Sequence, residues 1–401
     1  MLQLQIVNFR KDSYLFIEGR ESNDHFYIIQ SGSVRCYKSN DPKGLSVKML
    51  GPGDFVGVIP CMSNHTQIET AIALSDVKCI SVRRDQYPEL IEKNTPIALK
   101  IIRTFANRMR IMNEQLTQFS TKAVNVESSE HIYEVAQYYE KVYAYDIALY
   151  AYYQYMKENR AGLHLTEAQA AFKKLSAKSS MRDFEPPQES TRTYLRDRMI
   201  FSESQSGADM YVIQSGQVRI SKVIDGNEVV LAVLKPGDMF GEMALLENKP
   251  RSASAIAHED CHLMVVNKKN FDVMVQSQPQ LISRLTTTLA ERLWASYRQL
   301  DNASLINPLH KMVDMLALLL EKAKRLTGNY DPDITADDLA NMCSIPLEEH
   351  SKAIYQLRNE KTVRFIREKI VIPDCAELLK TAAFFKKMED KQQQMHAQQK
   401  L

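Results

Sequence analysis

The segment GDMFGEMALLENKPRSASA holds the residues best suited to chemistry, a glutamate and an arginine nine residues apart, Glu242 and Arg251. Gly241 allows a tight turn, and the apolar run around it predicts a short helix. The free N–H groups and the dipole at the amino end of a helix favour an anion. An arginine adds charge-assisted, bidentate contacts to the oxygens of such an anion. The segment therefore predicts an anion site, although these two side chains alone would also suit an ordinary surface ion pair.

The same segment resembles the phosphate-binding cassette of cyclic-nucleotide-binding domains, whose pattern is F-G-E-x-A-L-x followed by P-R-x-A. By that resemblance, Glu242 accepts a hydrogen bond from the ribose 2′-hydroxyl and Arg251 contacts the cyclic phosphate. Ser252 adds a hydroxyl beside the phosphate, and Ala253 stays small so that the ring can approach. The binding residues that the resemblance implies in the cassette are Phe240, Gly241, Glu242, Met243, Ala244, Arg251, Ser252 and Ala253.

The cassette says less about the base of the nucleotide. In similar proteins a hydroxyl after the arginine occurs with both cyclic AMP and cyclic GMP, so Ser252 does not choose between them. Similar bacterial regulators place base contacts on the long helix after the barrel, which implies Ser296 and Tyr297 here. Trp294, the only tryptophan, would either contact the base or pack in a core or at a dimer contact. The overall architecture favours cyclic AMP, with cyclic GMP as the alternative, and we expect no metal.

The elements that must position the cassette occur twice in the chain. FYIIQSGSVRCYK begins at Phe26, and the similar run MYVIQSGQVRISK begins at Met210. The same offset aligns residues 13–116, the first module, with residues 197–300, the second module, without a gap. Each copy has short β-rich runs that end in glycine, followed by a stretch with apolar residues at helical spacing. This pattern predicts a small β jelly roll closed by a helix.

The first module lacks the two charged groups of the cassette. Val58 stands at the position of Glu242, and Gln67 stands at the position of Arg251. A buried anion without a cation is costly, so we expect no useful nucleotide affinity in this copy and a structural role. A site for a different ligand is the alternative, and its candidate side chains are Cys61 and His65.

Between the modules lies the aromatic-rich run HIYEVAQYYEKVYAYDIALYAYYQYMKEN, which contains no glycine or proline and predicts helices. Its alanine and tyrosine spacing resembles one tetratricopeptide unit. A single unit cannot bury its own apolar face, so it must pack on a neighbour or recruit a partner. We therefore expect either a protein-binding surface at residues 131–157 or a plain helical hairpin that acts as a spacer.

The pattern changes after the second module. INPLHKMVDMLALLLEKAKRL predicts an amphipathic helix, and the segments after it predict a helix–turn–helix and a β-hairpin. A barrel, a long helix and a winged helix–turn–helix in this order resemble the bacterial catabolite-activator (Crp–Fnr) family, in which the second helix of the motif enters the major groove. The DNA contacts that the resemblance implies are Thr335, Ser344, Glu348, Lys352, Arg358 and Arg364. Its core positions are Leu339, Ala340, Met342, Ile354 and Leu357.

Two features of this region depart from that family. Leu347 stands where an arginine is usual at the start of the recognition helix. Residues 301–401 contain 15 basic and 15 acidic residues, so their net charge of zero is a poor footprint for DNA. A protein adaptor without DNA binding therefore stays open beside a transcription regulator.

Composition sets the remaining bounds. The 401 residues include 51 lysines and arginines against 49 aspartates and glutamates, so no bulk charge draws the chain to nucleic acid or a membrane. No long apolar run or secretory signal is present, and the six cysteines form no CxxC pair or zinc-finger pattern. We expect a cytoplasmic protein without membrane contact, metal or disulfides. The sequence also contains no nucleophile–base pattern, so we expect no enzyme.

The sequence thus predicts a multidomain α+β protein with two β jelly-roll cyclic-nucleotide-binding barrels, a helical hairpin between them and a C-terminal winged helix–turn–helix. Two modules in one chain predict either an internal pseudo-dimer, formed through their long helices, or a homodimer. The expected boundaries are 1–118 and 179–303 for the two barrels, 119–178 for the linker, 304–380 for the winged domain and 381–401 for a disordered tail.

Overall fold

The computed structural model describes residues 4–38, 47–120, 128–179, 181–185, 189–224, 226–247, 249–343 and 345–398. The chain divides into two compact units. The first unit is Met1–Val124 together with Thr286–Leu401, and the second unit is Asn125–Leu285. The first module thus shares a unit with the C-terminal region, whereas the insert shares a unit with the second barrel.

The first barrel consists, in its described residues, of two antiparallel four-stranded sheets, ordered β1-β8-β3-β6 and β2-β7-β4-β5. Side chains alternate between core and solvent along the strands, as in β4, where Val34 and Cys36 are buried and Arg35 is exposed. The strands are β1 (Gln5–Phe9), β2 (Tyr14–Phe16), β3 (His25–Ser31), β4 (Val34–Tyr37), β5 (Lys48–Leu50), β6 (Phe55–Val56), β7 (Thr70–Ala73) and β8 (Val77–Arg83). The helices are α1 (Val58–Ser63), α2 (Tyr87–Lys93) and α3 (Thr95–Ser120).

The insert begins the second unit with α4 (His131–Lys141), α5 (Tyr145–Glu158) and α6 (Leu165–Ser176). Tyr143, with φ of 63°, makes the tight turn between α4 and α5. Buried tyrosines from both helices fill the space between them. Several of their hydroxyls donate to carboxylates, as Tyr152 does to Glu140 at 2.8 Å. The two helices match the predicted hairpin, and the likeness to a tetratricopeptide unit stays a prediction.

The second barrel repeats the first strand for strand. Its sheets are ordered β14-β11-β16-β9 and β10-β15-β12-β13, which is the order of the first barrel with each strand replaced by its copy. The strands are β9 (Thr191–Tyr194), β10 (Met199–Phe201), β11 (Met210–Ser215), β12 (Val218–Ile224), β13 (Asn227–Leu234), β14 (Met239–Phe240), β15 (Ser254–Ala257) and β16 (Cys261–Val266). The helices are α7 (Glu242–Glu247), α8 (Lys268–Ser277) and α9 (Pro279–Ser304). The two predicted barrels are thus confirmed.

The C-terminal region follows α9, which starts in the second unit and continues into the first. Asn307 caps the first helix through a hydrogen bond from the Leu309 N–H, and Leu339, Ala340 and Leu357 are fully buried. The elements are α10 (Pro308–Lys322), α11 (Ala336–Met342), α12 (Leu347–Arg358), β17 (Arg364–Ile366), β18 (Lys369–Val371) and α13 (Cys375–Gln398).

Two expectations for this region are wrong. Met342 is 44% exposed, and the next residue, Cys343, takes the core position instead. The expected disordered tail is largely the helix α13, which continues to Gln398. Its lysines and glutamines are good helix formers, and Glu389 anchors it by accepting hydrogen bonds from the Ile306 and Asn307 N–H groups at 2.7 and 3.0 Å.

Candidate functional site

The turn before α7 brings Arg251 against the start of that helix. Gly241 has φ of 76°, and Nη1 of Arg251 donates a hydrogen bond of 2.9 Å to its carbonyl oxygen. A Cβ atom on Gly241 would lie 2.6 Å from the same Nη1, so both the backbone and the arginine require glycine here. Glu242, the first residue of α7, is buried at the same turn. The structure therefore brings the predicted glutamate, glycine and arginine together.

Arg251 is a buried cation that is not fully satisfied by the protein. Its guanidinium stacks 4.1 Å from the centre of the Phe201 ring, and its Nε atom has no hydrogen-bond partner. Among the described residues, no carboxylate lies within ion-pair distance of it. Burial lowers the pKa of this guanidinium, since the charged form is costly away from water. An anionic ligand at this position would offset that cost.

A loop of residues 202–209, between β10 and β11, holds Arg251 through the backbone. The Ser204 N–H donates to the Arg251 carbonyl oxygen, and the Arg251 N–H donates to the Gln205 carbonyl oxygen, both at 2.8 Å. Gly207 lies so close that a Cβ there would be 2.8 Å from Nη2 of Arg251. This loop was not predicted from the sequence, where only the serines and the glycine of SESQSG hint at a close backbone approach.

The other cassette residues line the same turn. Phe240 and Ala244 are 2% exposed and belong to the core, and Ala253 is 9% exposed. Met243 is half-buried, whereas Ser252 is exposed to solvent beside the arginine. The small side chain of Ala253 therefore stands at a buried position, as the cassette requires of a residue that faces a ligand.

The first barrel builds the same turn with different chemistry. Gly57, with φ of 78°, precedes α1, but the helix starts with the apolar Val58. Gln67 is buried at the arginine position, and its Nε2 atom has no hydrogen-bond partner. This copy therefore places an uncharged amide where the second barrel places a cation.

A carboxylate also enters the first barrel where the second has Ala253. Glu69 pairs with Lys48 at 3.1 Å and with Arg108 of α3 at 3.8 Å. Burial would raise the pKa of Glu69, but the two cations outweigh burial and lower it. The interior of this barrel is therefore occupied by its own ion pairs.

The three aromatic and hydroxyl residues expected near the base make their contacts in the first unit. Trp294 stacks on His65 with ring centres 3.8 Å apart, and its Nε1 donates to the Thr66 carbonyl oxygen at 3.3 Å. Lys48 Nζ donates to the Tyr297 hydroxyl at 3.3 Å. The packing alternative for Trp294 is thus the one that the structure bears out.

Ser296 makes a contact between the two long helices. Its Oγ lies 3.9 Å from the sulfur of Met109 on α3. The internal pseudo-dimer stays a prediction. The contacts of Ser296 and Tyr297 therefore lie with the first module, whereas they had been assigned to the ligand of the second. Their role as base contacts stays a prediction.

Thr335, a candidate for DNA contact, forms the N-terminal cap of α11. Its hydroxyl caps α11 by accepting from the Asp338 N–H at 3.1 Å, while the Asp338 carboxylate accepts from Thr335. Ser344 lies outside the described residues.

The remaining candidates for DNA contact lie on α12 and the hairpin after it. Glu348 and Lys352 are exposed on α12, and Arg364 is exposed on β17. Arg358 forms an ion pair with Glu368 and lies over the ring of Phe365, 4.6 Å from its centre. One of the four is thus already engaged by an acidic neighbour.

The described residues hold no group of three or more histidine, cysteine or acidic side chains placed to bind a metal. All six cysteines are buried and carry free thiols. None of the described helices combines the length and apolar character needed to cross a membrane.

The fold and the site define a protein with two cyclic nucleotide-binding domains. The family model of the cyclic nucleotide-binding domain matches residues 6–94 and 191–278. The cyclic AMP receptor protein of Thermus thermophilus is 30% identical over 194 residues, which are 48% of this chain and 88% of that protein. The chain belongs to the family of cyclic nucleotide-binding domain proteins that includes this receptor protein.

A second kind of relative matches a longer stretch of the chain. The cAMP-dependent protein kinase regulatory subunit of Candida albicans is 24% identical over 268 residues, 67% of this chain and 43% of that subunit. Among solved structures, the catabolite activator protein of Thermus thermophilus is 29% identical with a TM-score of 0.28, over 48% of this chain and 89% of that one. The chain is similar to both regulator types.

Proposed function

We propose that this protein is a cyclic-AMP-responsive transcription regulator, with the nucleotide bound by the second barrel and read out through a C-terminal winged helix. The observation that carries the proposal is Arg251, a buried guanidinium with an unpartnered Nε at the start of α7. Such a group is suited to a compact anion that can accept two charge-assisted hydrogen bonds. A cyclic phosphate has that charge and size.

The neighbouring groups would bind the rest of the nucleotide. Glu242, buried beside the arginine, would accept a hydrogen bond from the ribose 2′-hydroxyl. The N–H groups of the first turn of α7 would face the phosphate oxygens after the Gly241 turn. The rings of Phe201, Tyr211 and Phe240, whose centres lie 5.2–6.0 Å apart, would form the apolar wall behind the guanidinium.

We propose a single nucleotide site per chain. In the first barrel, Gln67 offers no charge to a phosphate, and Glu69 adds a carboxylate that would repel one. Lys48 and Arg108 do not compensate, because each is already paired with Glu69. The first barrel therefore acts as a structural copy.

Calorimetric titration with cyclic AMP and cyclic GMP tests this assignment. We expect one site per chain and a preference for cyclic AMP. Arg251→Ala should weaken binding at least about tenfold, because a lost hydrogen bond to a charged group is worth about 1.5–3 kcal/mol. Gln67→Ala is the matched control at the equivalent position and should leave affinity within about twofold. Two sites per chain, or no heat with either nucleotide, would contradict the proposal.

We propose that α12 and the hairpin after it contact DNA. Exposed Lys352 and Arg364 are placed on α12 and β17, where a winged helix–turn–helix would meet base edges and phosphates. The experiment is a mobility shift with duplexes selected from a randomised pool at low salt. Cyclic AMP should tighten binding, Lys352→Ala and Arg364→Ala should weaken it, and Lys380→Ala on α13 should not. A protein that retains no duplex at low salt would exclude this readout.

A protein-binding adaptor is the second candidate function. It is favoured by the acidic pair Glu348 and Glu349, exposed in the first turn of α12 where DNA phosphates would repel them, and by Arg358, which Glu368 already neutralises. Relatives named as kinase regulatory subunits are consistent with it. Cross-linking of the protein in cells, with wild type against Arg251→Ala, distinguishes the two. Nucleotide-dependent cross-links from residues 131–157 to another protein, without DNA retention, would support the adaptor.

A further inference from the structure

Side chains of the helical insert bond to the 202–209 loop, and this loop in turn bonds to the backbone of Arg251. The hydroxyl of Tyr150 on α5 lies 3.3 Å from the side-chain amide of Gln205, which belongs to the 202–209 loop. At the end of the same helix, the carboxylate of Glu158 accepts a 2.7 Å hydrogen bond from the Ser206 N–H and a 3.0 Å bond from its Oγ. Two neighbouring loop residues are thus fixed by side chains of one helix.

A third contact joins the insert to the start of the loop. Nε2 of His131 on α4 lies 3.5 Å from Oε2 of Glu203, and this buried carboxylate also pairs with Lys222 at 3.2 Å. The Val223 N–H donates to it at 3.2 Å as well. Glu203 therefore connects the insert to β12 at the start of the loop, since it pairs with His131 on one side and with Lys222 and the Val223 N–H on the other.

The loop transmits this support to the guanidinium. Its backbone contacts Arg251 through the Ser204 N–H and the Gln205 carbonyl oxygen, and Gly207 leaves the space that the guanidinium occupies. A shift of the loop would therefore move Arg251 relative to Gly241, whose carbonyl oxygen accepts from Nη1. The contacts form one continuous path from α5 to the phosphate-binding cation.

We propose that the insert is a positioning element for the nucleotide site: Tyr150 and Glu158 preorganise the 202–209 loop, and through it Arg251, so that docking of the insert and binding of the nucleotide are coupled. The inference rests on the proposed function of the second barrel. A loop already held in place does not have to be ordered when the ligand binds, which raises affinity. The coupling is reciprocal, so the bound nucleotide stabilises the docked insert by the same factor.

A matched pair of double variants tests the coupling. Tyr150→Phe with Glu158→Ala removes the side-chain contacts to the loop. Tyr152→Phe with Glu140→Ala is the control, because the Tyr152 hydroxyl donates to Glu140 and Lys174 also donates to Glu140, all within the insert. We expect the first variant to weaken cyclic AMP binding at least fivefold and the control to stay within twofold. The single variant Glu158→Gln keeps an acceptor for the Ser206 N–H and should retain affinity within twofold.

A double-mutant cycle separates positioning from general loosening. If Tyr150 and Glu158 act through Arg251, their removal should weaken binding little in an Arg251→Ala background, so the two effects are not additive. Equal weakening in both backgrounds, or equal weakening by the control variant, would overturn the proposal.

Amide exchange of the ligand-free protein provides an independent readout. Peptides that contain Ser204 and Arg251 should exchange at least fivefold faster in the Tyr150 and Glu158 variant than in the control, since both N–H groups bond across the loop. Unchanged exchange would overturn the positioning role. If the wild type binds neither nucleotide, the proposed function fails, while this exchange measurement still decides whether the insert holds the arginine.

Discussion

The two barrels share one plan and differ in what their interiors contain. Every strand of β1–β8 has its copy in β9–β16, with the same neighbours in both sheets, and α1 and α7 begin at equivalent positions. Apolar alternation therefore suffices to reproduce the fold. The phosphate-binding chemistry depends on far fewer residues, since Gln67 in place of Arg251 removes the cation without disturbing the turn.

Residues of the first barrel contact helix α9. Its cassette loop supplies His65, which stacks on Trp294 of α9, and its strand residue Lys48 contacts Tyr297 one turn further along the helix. At the end of β4, Lys38 pairs with Asp301 of α9. The barrel that has Gln67 in place of the arginine thus supplies the packing surface for the helix that enters the C-terminal region.

Of the substitutions that test this comparison, Trp294→Ala should cause the largest loss of stability. Trp294 is 1% exposed, and its indole has both a stacking partner and a hydrogen bond in the first barrel. Replacing a large buried aromatic residue by alanine costs about 3–5 kcal/mol, so the free energy of unfolding of the first unit should fall by that amount. Urea unfolding followed by circular dichroism measures it. Trp294→Phe, which keeps the stack, should lose less, and a loss below about 1 kcal/mol for alanine would contradict the packing role.

Ala253→Glu should convert the second barrel toward the first. The substitution introduces the carboxylate that Glu69 supplies in the first copy and places it two residues from Arg251. A carboxylate there would neutralise the guanidinium and repel phosphate, so cyclic AMP affinity should fall at least about tenfold, or about 1.4 kcal/mol. Ala253→Gln has the same size without the charge. If the glutamine variant loses as much affinity in calorimetry, the effect is steric and the charge argument fails.

The barrels and the cassette could be predicted from the sequence, because both produce patterns within short segments of the chain. The offset that aligns Phe26 with Met210 places β3–β8 on their copies in the second barrel. The first two strands are shifted by one residue, because Phe16 pairs with Ala71 as Phe201 pairs with Ala255, so the alignment without a gap is wrong before β3. The pattern around Glu242 and Arg251 lies within a single short segment. The tail lacks such a local apolar pattern. Its lysines and glutamines permit a helix, but the packing of α13 depends on distant contacts, among them the Ile306 and Asn307 N–H groups that donate to Glu389.

The contacts of Trp294 and of the 202–209 loop could not be predicted in the same way. Helical spacing shows that Trp294 lies on an apolar face, but not that His65, from the other module, covers it. Ser204 and Gln205 pair with Arg251 although four strands, β11–β14, separate them along the chain, and no local pattern encodes that pairing. Both depend on tertiary packing, which single-sequence periodicity does not contain.

His65 in the first unit and His131 in the second should make the stabilities of the two units change with pH in opposite directions. Burial lowers the pKa of His65 from 6.5 to about 4, with Lys324 adding to the effect. The unfolded chain therefore takes up a proton that the folded unit refuses, and the first unit should lose stability as the pH falls from 6.5 to about 4. Hydrogen bonding to Glu203 raises the pKa of His131, so its contribution is full below pH 6.5 and is lost as the pH rises through the raised value.

Urea unfolding at pH 7 and pH 4.5 checks this opposition. His65→Phe keeps an aromatic ring on Trp294 without a titrating group, so it should reduce the acid sensitivity of the first unit. His131→Gln should reduce the loss of stability that the second unit shows as the pH rises. An unchanged pH slope in His65→Phe would show that the histidine is not the group responsible.

Tyr87→Phe should cause the smallest loss of stability. The substitution makes the first module match the second at one buried position. Tyr87 is fully buried on α2, and its hydroxyl lies 3.1 Å from Oγ1 of Thr286 on α9, whereas the equivalent residue of the second module is Phe271. The ring packing is retained, so only the hydroxyl pair is lost and the free energy of unfolding should fall by about 1 kcal/mol. A double-mutant cycle with Thr286→Val isolates the pair. A coupling energy near zero would mean that α9 is held on the first barrel by its aromatic stack and ion pairs alone, without this hydrogen bond.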